Sequence, residues 1–441
     1  MILGAGESGI GAALLAHSRG HEVFVSDAGV VAADHQDTLR SRGIPFEESG
    51  HSYHKILEAD EVVKSPGIAE ETEVMQQIRA ARIPVISEIE LAFRYRNPCR
   101  IVAITGSNGK TTTTALTGHI FRQAGLQAAC VGNIGKSFAR QVACSPVDYY
   151  IVEVSSFQLE DIQQFRPDVA VLLNITPDHM DRYGHDMARY ARTKFKITAN
   201  QTSEDYFVYC QDDPATQTYF NQQPINSQQI PITIMNTLQE GGFIDQDNLH
   251  LKLQDDDMSM SIYELALRGK HNLYNSMAAG ISARTMHIRK ESIRESLKSF
   301  RSLEHRLEFI ATVRGVDFIN DSKATNINSV WFALESMNKP VVLIMGGVDK
   351  GNDYNLIREL VREKVKAIVC LGKDNRRIHE AFGGDTGMIV DTASMEEAVQ
   401  SAFLFAEKGD VVLLSPACAS FDLFKNYEDR GDQFKARVRD L

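Results

Sequence analysis

The 441-residue sequence predicts an α/β protein of three successive domains, and three observations carry that reading. Short apolar runs of strand length recur along the chain with helix-like stretches between them, the pattern of parallel sheets covered on both faces. These runs end repeatedly in glycine-rich or polar turns, where an open α/β sheet gathers its functional groups. The length suits several domains, each large enough for its own core.

Composition narrows the class. Apolar and charged fractions of 43% and 24% are ordinary for a soluble globular protein. A net charge of −11 argues against nucleic acid or an anionic membrane as main partner. It leaves room for a phosphorylated substrate held by local lysines. No apolar run is long enough to insert in a membrane, and no signal peptide opens the chain. The six cysteines, at positions 99, 130, 144, 210, 370 and 418, show no CxxC pair and no zinc spacing. They read as reduced core cysteines of a cytoplasmic protein.

In residues 1–90, the turn 4–9 (GAGESG) follows only Met1, Ile2 and Leu3, a short start that reads as a late or clipped beginning. A helix-like run to Ser18 comes next, then a strand over residues 22–27 that ends in Asp27. This is the outline of a dinucleotide-binding turn, with Asp27 placed to meet a ribose; a plain glycine-rich βα turn has the same outline. Residues 62–67 give another strand end, closed by Ser65-Pro66-Gly67, either a Pro-Gly turn or a ligand-lining loop. A small α/β unit that holds a nucleotide diphosphate fits all three features.

Residues 91–300 hold the most informative stretch. A strand over 100–104 and a helix over 112–123 flank Thr105-Gly106-Ser107-Asn108-Gly109-Lys110-Thr111. Glycines let successive N–H groups point at one anion, and the helix N-terminus adds its own. Lys110 would reach the outer phosphates of a nucleotide, and Thr111 would offer a hydroxyl to Mg²⁺. The spacing departs from G-x-x-x-x-G-K-[ST], since Ile104 stands at the first glycine position. Further buried strands are expected over 127–131, 149–154 and 169–173, each running into a polar loop. Glu153 lies in an apolar strand, where an unpaired charge is expensive, so it is expected to bind Mg²⁺ or form an ion pair. His179, past a strand end and near acids, is a candidate metal ligand. Residues 249–253 and 258–262 alternate around Asp255-Asp256-Asp257, a hairpin with the acids in a solvated turn. Asn272 and Asn275 share a helix face that could meet an adenine edge or serve capping and packing.

In residues 301–441, runs over 307–312 and 316–319 flank Arg314-Gly315, a hairpin signal. The polar stretch 320–326 follows. Buried strands are expected over 341–345, 367–371 and 411–414. The first runs into Gly346-Gly347 and the last into residues 415–421, so a third α/β domain again carries loops at strand ends.

Together, residues 105–112, 153–160 (EVSSFQLE), 174–183 (NITPDHMDRY), His305-Arg306, 320–326 (NDSKATN) and 415–431 (SPACASFDLFKNYEDRG) resemble the Mur ligase family over nearly the whole chain. That family builds the peptide stem of peptidoglycan precursors in the bacterial cytoplasm. SSFQLE with SPACASFD is similar to its D-glutamate-adding branch. The resemblance implies a Rossmann-like UDP-sugar domain (1–90) and a P-loop-type central ATPase domain with a mostly parallel sheet (91–300). It implies a third, mobile Rossmann-like domain (301–441) that helps bind ATP and the amino acid. It further implies a monomer that uses ATP, two Mg²⁺ ions, UDP-N-acetylmuramoyl-L-alanine and D-glutamate, through an acyl phosphate.

By the same resemblance, Gly106, Asn108, Gly109, Lys110, Thr111, Thr112, Asn272, Asn275, Arg306 and Asp321 would bind ATP. Thr111 and Glu153 would hold one Mg²⁺. His179 and Lys194 would serve the second, with Lys194 converted to a carbamate by CO₂. His305 would help place substrate and nucleotide. Glu7, Ser8, Gly9, Asp27, Ser65, Gly67 and Asn133 would bind the UDP-sugar, so the first glycine turn would cradle a pyrophosphate rather than NAD. Lys323, Thr325, Lys350, Ser420 and Phe421 would surround D-glutamate. The chain departs from the family in its short start, in residues 346–350 (GGVDK) and in Ser26-Asp27-Ala28, which bears on uracil contact. The competing readings are a folylpolyglutamate synthase-like ligase, an NAD oxidoreductase and a non-catalytic nucleotide-binding scaffold.

Overall fold

Three sheets follow one another along the chain in a computed structural model that describes residues 1–220, 222, 225–254, 256–300 and 304–441. The first has five short strands, β1 (Ile2–Leu3), β2 (Val25–Ser26), β3 (Phe46–Glu47), β4 (Val62–Lys64) and β5 (Val85–Ser87). All are parallel, in the order β3-β2-β1-β4-β5. The winding reverses between β1 and β4, so their C-terminal ends open a crevice suited to a ligand. Of the expected strand over 22–27 only Val25–Ser26 pairs, because β1 beside it is two residues long.

The second sheet comprises β6 (Arg100–Thr105), β7 (Ala128–Gly132), β8 (Tyr149–Glu153), β9 (Val169–Leu172), β10 (Tyr206–Cys210), β11 (Gln228–Thr233), β12 (Gly241–Asp245), β13 (Asn248–Leu253) and β14 (Asp256–Ser261). Their order is β14-β13-β12-β11-β10-β9-β6-β8-β7. The middle strands are rich in Val, Ile and Ala and buried along their length, as strands with both faces covered must be. The β12–β13–β14 edge is antiparallel. The hairpin is thus present and Asp256 and Asp257 are solvent-exposed as expected, but they belong to β14 rather than to the turn. Both are ladder partners of β13, opposite Leu253 and Lys252; Asp256 also pairs with Arg284 and Lys290, and Asp257 lies 2.9 Å from His250 Nδ1. Asp255 lies outside the described residues.

The third sheet holds β15 (Glu308–Val313), β16 (Val316–Asn320), β17 (Val341–Met345), β18 (Val365–Leu371), β19 (Ile389–Thr392) and β20 (Val411–Leu414), in the order β15-β16-β20-β17-β18-β19. Only β15 runs antiparallel to its neighbour. The β15–β16 hairpin turns at Arg314 (φ 50°) and Gly315 (φ 85°), the two left-handed residues of a type I′ turn. The chain divides into two compact units, Met1–Ala266 with Leu273–Phe300, and Leu267–Asn272 with Arg301–Leu441. Residue 301, the expected start of the last domain, lies outside the described residues. Among the described residues no helix is long and apolar enough to cross a membrane.

Within the first unit, the helix Glu7–Ser18 packs closely on the start of the helix Phe138–Cys144: a Cβ at Gly11 would come 1.9 Å from Ser137 Oγ. Two carboxylates hold the N-terminus of that second helix, where free N–H groups favour anions. Glu7 accepts from Ser137 N at 2.9 Å, and Glu88 accepts from Ala139 N. Burial pushes the Glu88 carboxyl up from 4.5 to about 8, against the pull of the Ala139 N–H. Between those two values the folded chain keeps a proton that the unfolded chain has lost, so stability falls as pH rises through this window. Glu88→Gln should flatten that slope. Urea midpoints near the acid and alkaline ends of the window should lie closer together in the variant than in the parent. An undiminished gap would mean that Glu88 ionises freely in the folded chain.

Candidate active site

Strand β6 delivers the chain to Gly106, and the helix Lys110–Gln123 carries it away. Gly106 and Gly109 have φ of 152° and 85°. A Cβ at Gly109 would lie 2.5 Å from Asn275 Oδ1, so both the turn and the close approach require glycine. Gly109 is also the N-cap of the helix, whose first N–H groups are available to an anion.

The loop is clamped from the end of β9. Asn108 N donates to Asn174 Oδ1 at 2.9 Å, and Asn174 Nδ2 donates back to Asn108 O at 3.1 Å. Ser107 Oγ donates to Thr176 O at 2.8 Å and lies 3.0 Å from Tyr190 Oη. The sequence placed Asn174 in a motif but gave it no role; a side chain pairing with a distant backbone amide leaves no trace in spacing.

Two lysines converge on one carbonyl. Lys110 Nζ donates to Gly106 O and Ser107 O, both at 2.8 Å. Lys194 Nζ, from the helix Met187–Phe195, donates to the same Gly106 O at 2.9 Å. Lys194 is 1% exposed. Burial, and then the charge of Lys110, hold its pKa well below the usual lysine range, with Asp178 opposing them. A lowered pKa enlarges the neutral fraction of the amine, which is the nucleophilic form.

Glu153 ends β8 beside the loop, because it pairs with Ile104 of β6. Its Oε1 accepts from Asn133 Nδ2 at 3.0 Å. Its Oε2 is buried with no hydrogen-bond partner among the described residues. A buried orphan carboxylate oxygen next to this glycine loop suits a divalent cation, with the Thr111 hydroxyl on the first turn of the helix. Thr112 is buried on the same turn.

His179 (φ 52°) has its ring 5.0 Å from that of Phe157 and Nε2 3.7 Å from Asp178 Oδ1. Arg182, three residues on, donates to Pro66 O at 2.8 Å and Glu160 Oε2 at 2.7 Å. It ties the His179 loop to the Ser65 turn, a link the sequence did not suggest. Ser155 starts the neighbouring segment with a capping box to Gln158, a signal legible as S-x-x-Q.

Gly9, Asp27, Ser65 and Gly67 lie on turns at the N-terminal crevice. Ala5 N donates to Asp27 Oδ2 at 2.6 Å. A Cβ at Gly9 would strike Gly4 O at 1.8 Å, and one at Gly4 would lie 2.6 Å from Ser65 Oγ. That hydroxyl is buried without a partner among the described residues. Ser8 is half-buried and Gly67 exposed on the same turns. Glu7 faces the next helix instead, bound by Ser137 N and by Arg140 at 3.0 Å. Asn275 Oδ1 accepts from Thr113 Oγ1 at 3.1 Å, a packing contact.

In the second unit, Asn272 Nδ2 donates to Arg268 O at 2.7 Å. Here the loops after β16, β17 and β20 meet. Asp321 Oδ2 accepts from Ser415 Oγ at 2.9 Å, Gly346 N donates to Pro416 O at 2.9 Å, and Val348 bridges Ala419. Burial pushes Asp321 up to about 7, against Arg306 and two hydrogen bonds. His305 is buried, its Nδ1 3.0 Å from Asn320 Nδ2. Lys323 Nζ stands 5.3 Å from the centre of the Tyr427 ring. Ser420 is buried, Thr325 half-buried, and Lys350 and Phe421 are exposed. Arg430, unassigned by the sequence, is 1% exposed and joins two of these loops through Ser322 Oγ (3.0 Å) and Cys418 O (3.2 Å).

Known proteins share this architecture. Residues 1–74, 104–283 and 305–418 match family models described as MurD N-terminal domain, Mur ligase middle domain, and Mur ligase, glutamate ligase domain. The whole chain is 51% identical to the UDP-N-acetylmuramoylalanine–D-glutamate ligase of Bacteroides fragilis and 47% identical to that of Christiangramia forsetii, covering 99% of each. A pseudomurein peptide ligase type C from Methanothermus fervidus has a similar fold, with TM-score 0.63, 19% identity, and coverage of 100% of this chain and 99% of that one. So does a MurF ligase from Thermotoga maritima in complex with ADP, with TM-score 0.61, 15% identity, and coverage of 97% and 99%.

Gly109→Ala tests the loop. A left-handed non-glycine residue costs of order 1–3 kcal/mol, and here its Cβ would also crowd Asn275. ATP affinity, measured by calorimetry, should fall by about tenfold or more in a folded variant. Unchanged affinity would exclude this loop from nucleotide binding.

Proposed function

The chain belongs to the Mur ligase family, and from that premise we propose that it is an ATP-dependent amide ligase that adds D-glutamate to UDP-N-acetylmuramoyl-L-alanine. The observation that carries the substrate assignment is identity of about half over the full length to ligases named for that reaction. The product belongs to peptidoglycan precursor synthesis, and we place the enzyme in the bacterial cytoplasm as a monomer.

ATP transfers its terminal phosphoryl group to the L-alanyl carboxylate, giving an acyl phosphate and ADP. The amine of D-glutamate attacks the acyl carbon, and the tetrahedral intermediate expels phosphate as the amide forms. Both steps build negative charge, which fixed cations and N–H groups stabilise more than covalent help would. The glycine loop would cradle the phosphates, with Lys110 leaving its own loop carbonyls for them. Asn133 and the Gly4, Asp27 and Ser65 turns would hold the UDP-sugar. Asp321, with Arg306 and His305, would hold the nucleotide and align the reacting groups. Lys323, Thr325, Lys350, Ser420 and Phe421 would receive D-glutamate.

The orphan oxygen of Glu153 and the Thr111 hydroxyl suit one Mg²⁺, and His179 with a modified Lys194 suits a second. Mg²⁺, when bound, would neutralise phosphate charge. Lys194 would acquire its anionic form by adding CO₂ to the neutral amine, with loss of one proton. Its burial beside Lys110 supplies the neutrality that this addition needs.

Phosphate release should require ATP, UDP-N-acetylmuramoyl-L-alanine and D-glutamate together; release indifferent to D-glutamate would sink the assignment. Lys110→Ala should fold normally and lose roughly 10²-fold or more in turnover. Lys194→Ala should be nearly inactive, and added short carboxylates should restore part of its activity by supplying the missing oxygens. Full activity without them would rule out the carbamate.

A further inference from the structure

Away from these loops, one group of three side chains brings together a thiol, an imidazole and a carboxylate among the described residues. Cys370 of β18 and Asp391 of β19 are register partners on parallel strands, so their side chains leave the sheet on one face. His379 comes from the helix Arg376–Phe382, which packs on that face through Ile378 and Phe382 in the same core cluster as Cys370. The three donor atoms lie within 4.8 Å of one another, with His379 Nε2 3.0 Å from Asp391 Oδ1. Asn375, buried, donates to that same Oδ1 at 3.0 Å and to Gly372 O at 3.1 Å, which fixes the carboxylate from behind. Supporting hydrogen bonds of this kind orient metal ligands. The thiol is buried while His379 and Asp391 are exposed, so the group opens to solvent on one side.

A hydrogen-bonded His–Asp pair accounts for two of the three groups and leaves the sulfur unused. Donors on one tetrahedral zinc stand about 3.3–3.6 Å apart, given bonds of about 2.0–2.3 Å, so small side-chain rotations would close this set around an ion. Sulfur with imidazole and carboxylate favours Zn²⁺ or a similar borderline metal, whereas Mg²⁺ prefers oxygen alone. We propose that Cys370, His379 and Asp391 form a Zn²⁺ site with a solvent molecule in the fourth position, separate from the nucleotide Mg²⁺. The thiol proton leaves to solvent as the sulfur–metal bond forms. The site also adjoins the glycine loop after β17. A Cβ at Gly346 would come 3.1 Å from Asn375 Oδ1, and one at Gly372 would come 2.7 Å from Gly347 N. A bound ion would therefore brace the base of the loop that carries Lys350.

The test uses the full chain, stripped by a chelator and titrated with Co²⁺ in the absence of nucleotide. One Co²⁺ should bind with a thiolate-to-metal charge-transfer band, displaced by Zn²⁺ and not by excess Mg²⁺. Cys370→Ser should abolish the band. His379→Ala and Asp391→Asn, both at exposed positions, should weaken Co²⁺ binding by about tenfold or more. His179→Ala should leave the band intact. Absence of the band in the parent protein, or its survival in Cys370→Ser or at full affinity in His379→Ala, would overturn the proposal and leave a hydrogen-bonded surface pair.

Discussion

Two lysine side chains directed at the carbonyl of Gly106 set the terms for the first unit. Like charges repel, and burial makes the repulsion costly, so one of the two must give up its proton or find an anion. Lys194 is the buried one, sealed under Tyr190 with its Nζ 4.6 Å from that ring's centre. Lys110 lies nearer the surface and keeps its reach. The arrangement is the one the proposed function uses, with phosphates proposed at Lys110 and a carbamate proposed at Lys194. The other contacts of the loop hold that pair in place. Strand β6 fixes Gly106, the Asn174 clamp fixes Asn108, and Ser107 is shared between Thr176 and Tyr190.

Much of this was legible because it is local. Buried strands announce themselves by unbroken Val and Ile runs, and the glycine–lysine–threonine loop by its order between strand and helix. The fold class and most central strand positions follow from those two signals. The short strands β3 and β5 were not legible, since two or three residues carry no period. The same is true of Asp256, whose ion pairs with Arg284 and Lys290 come from later helices. Propensity reads Asp-Asp-Asp as a turn; ladder pairing with Leu253 and Lys252 places two of the three in a strand.

Site residues divide in the same way. Lys110, Thr111 and Glu153 could be argued from sequence, because a phosphate loop and a lone acid in an apolar strand are local facts. Lys194 could not, since a lysine in a helix is ordinarily solvated and only the fold reveals its burial. Arg430 was missed for the same reason: it lies on a helix, yet it is buried and donates to Ser322 and Cys418. Burial lowers its pKa to about 10, with the acids nearby only partly compensating. A charge kept at that cost, with its hydrogen bonds made, fixes the loops it joins.

The first and second sheets are coupled by a second buried cation. Lys64, at the end of β4, is 2% exposed and lies 2.8 Å from Asp161, 2.9 Å from Glu70 and 3.8 Å from Glu160. Arg79 reaches both Glu70 and Asp161, and Arg182 reaches Glu160. Burial alone would raise the Glu70 carboxyl, but hydrogen bonds from Arg79 and Lys64 bring it down to about 2. Three acids and three cations thus alternate across the junction. Removing Asp161 would leave the buried Lys64 ammonium short of a close partner, which costs more than the pair contributes when intact. The network also sits between two functional turns. Lys64 precedes Ser65, and Arg182 holds Pro66 O while following His179 by three residues. A shift of the crevice at Ser65 would pull on the His179 loop through the same side chains. Charge pairing at these turns thus adds to the apolar core that the first and second sheets share, in which Ile10 and Ala13 cluster with Phe138 and Val142, and links the proposed UDP-sugar site to the proposed metal loop.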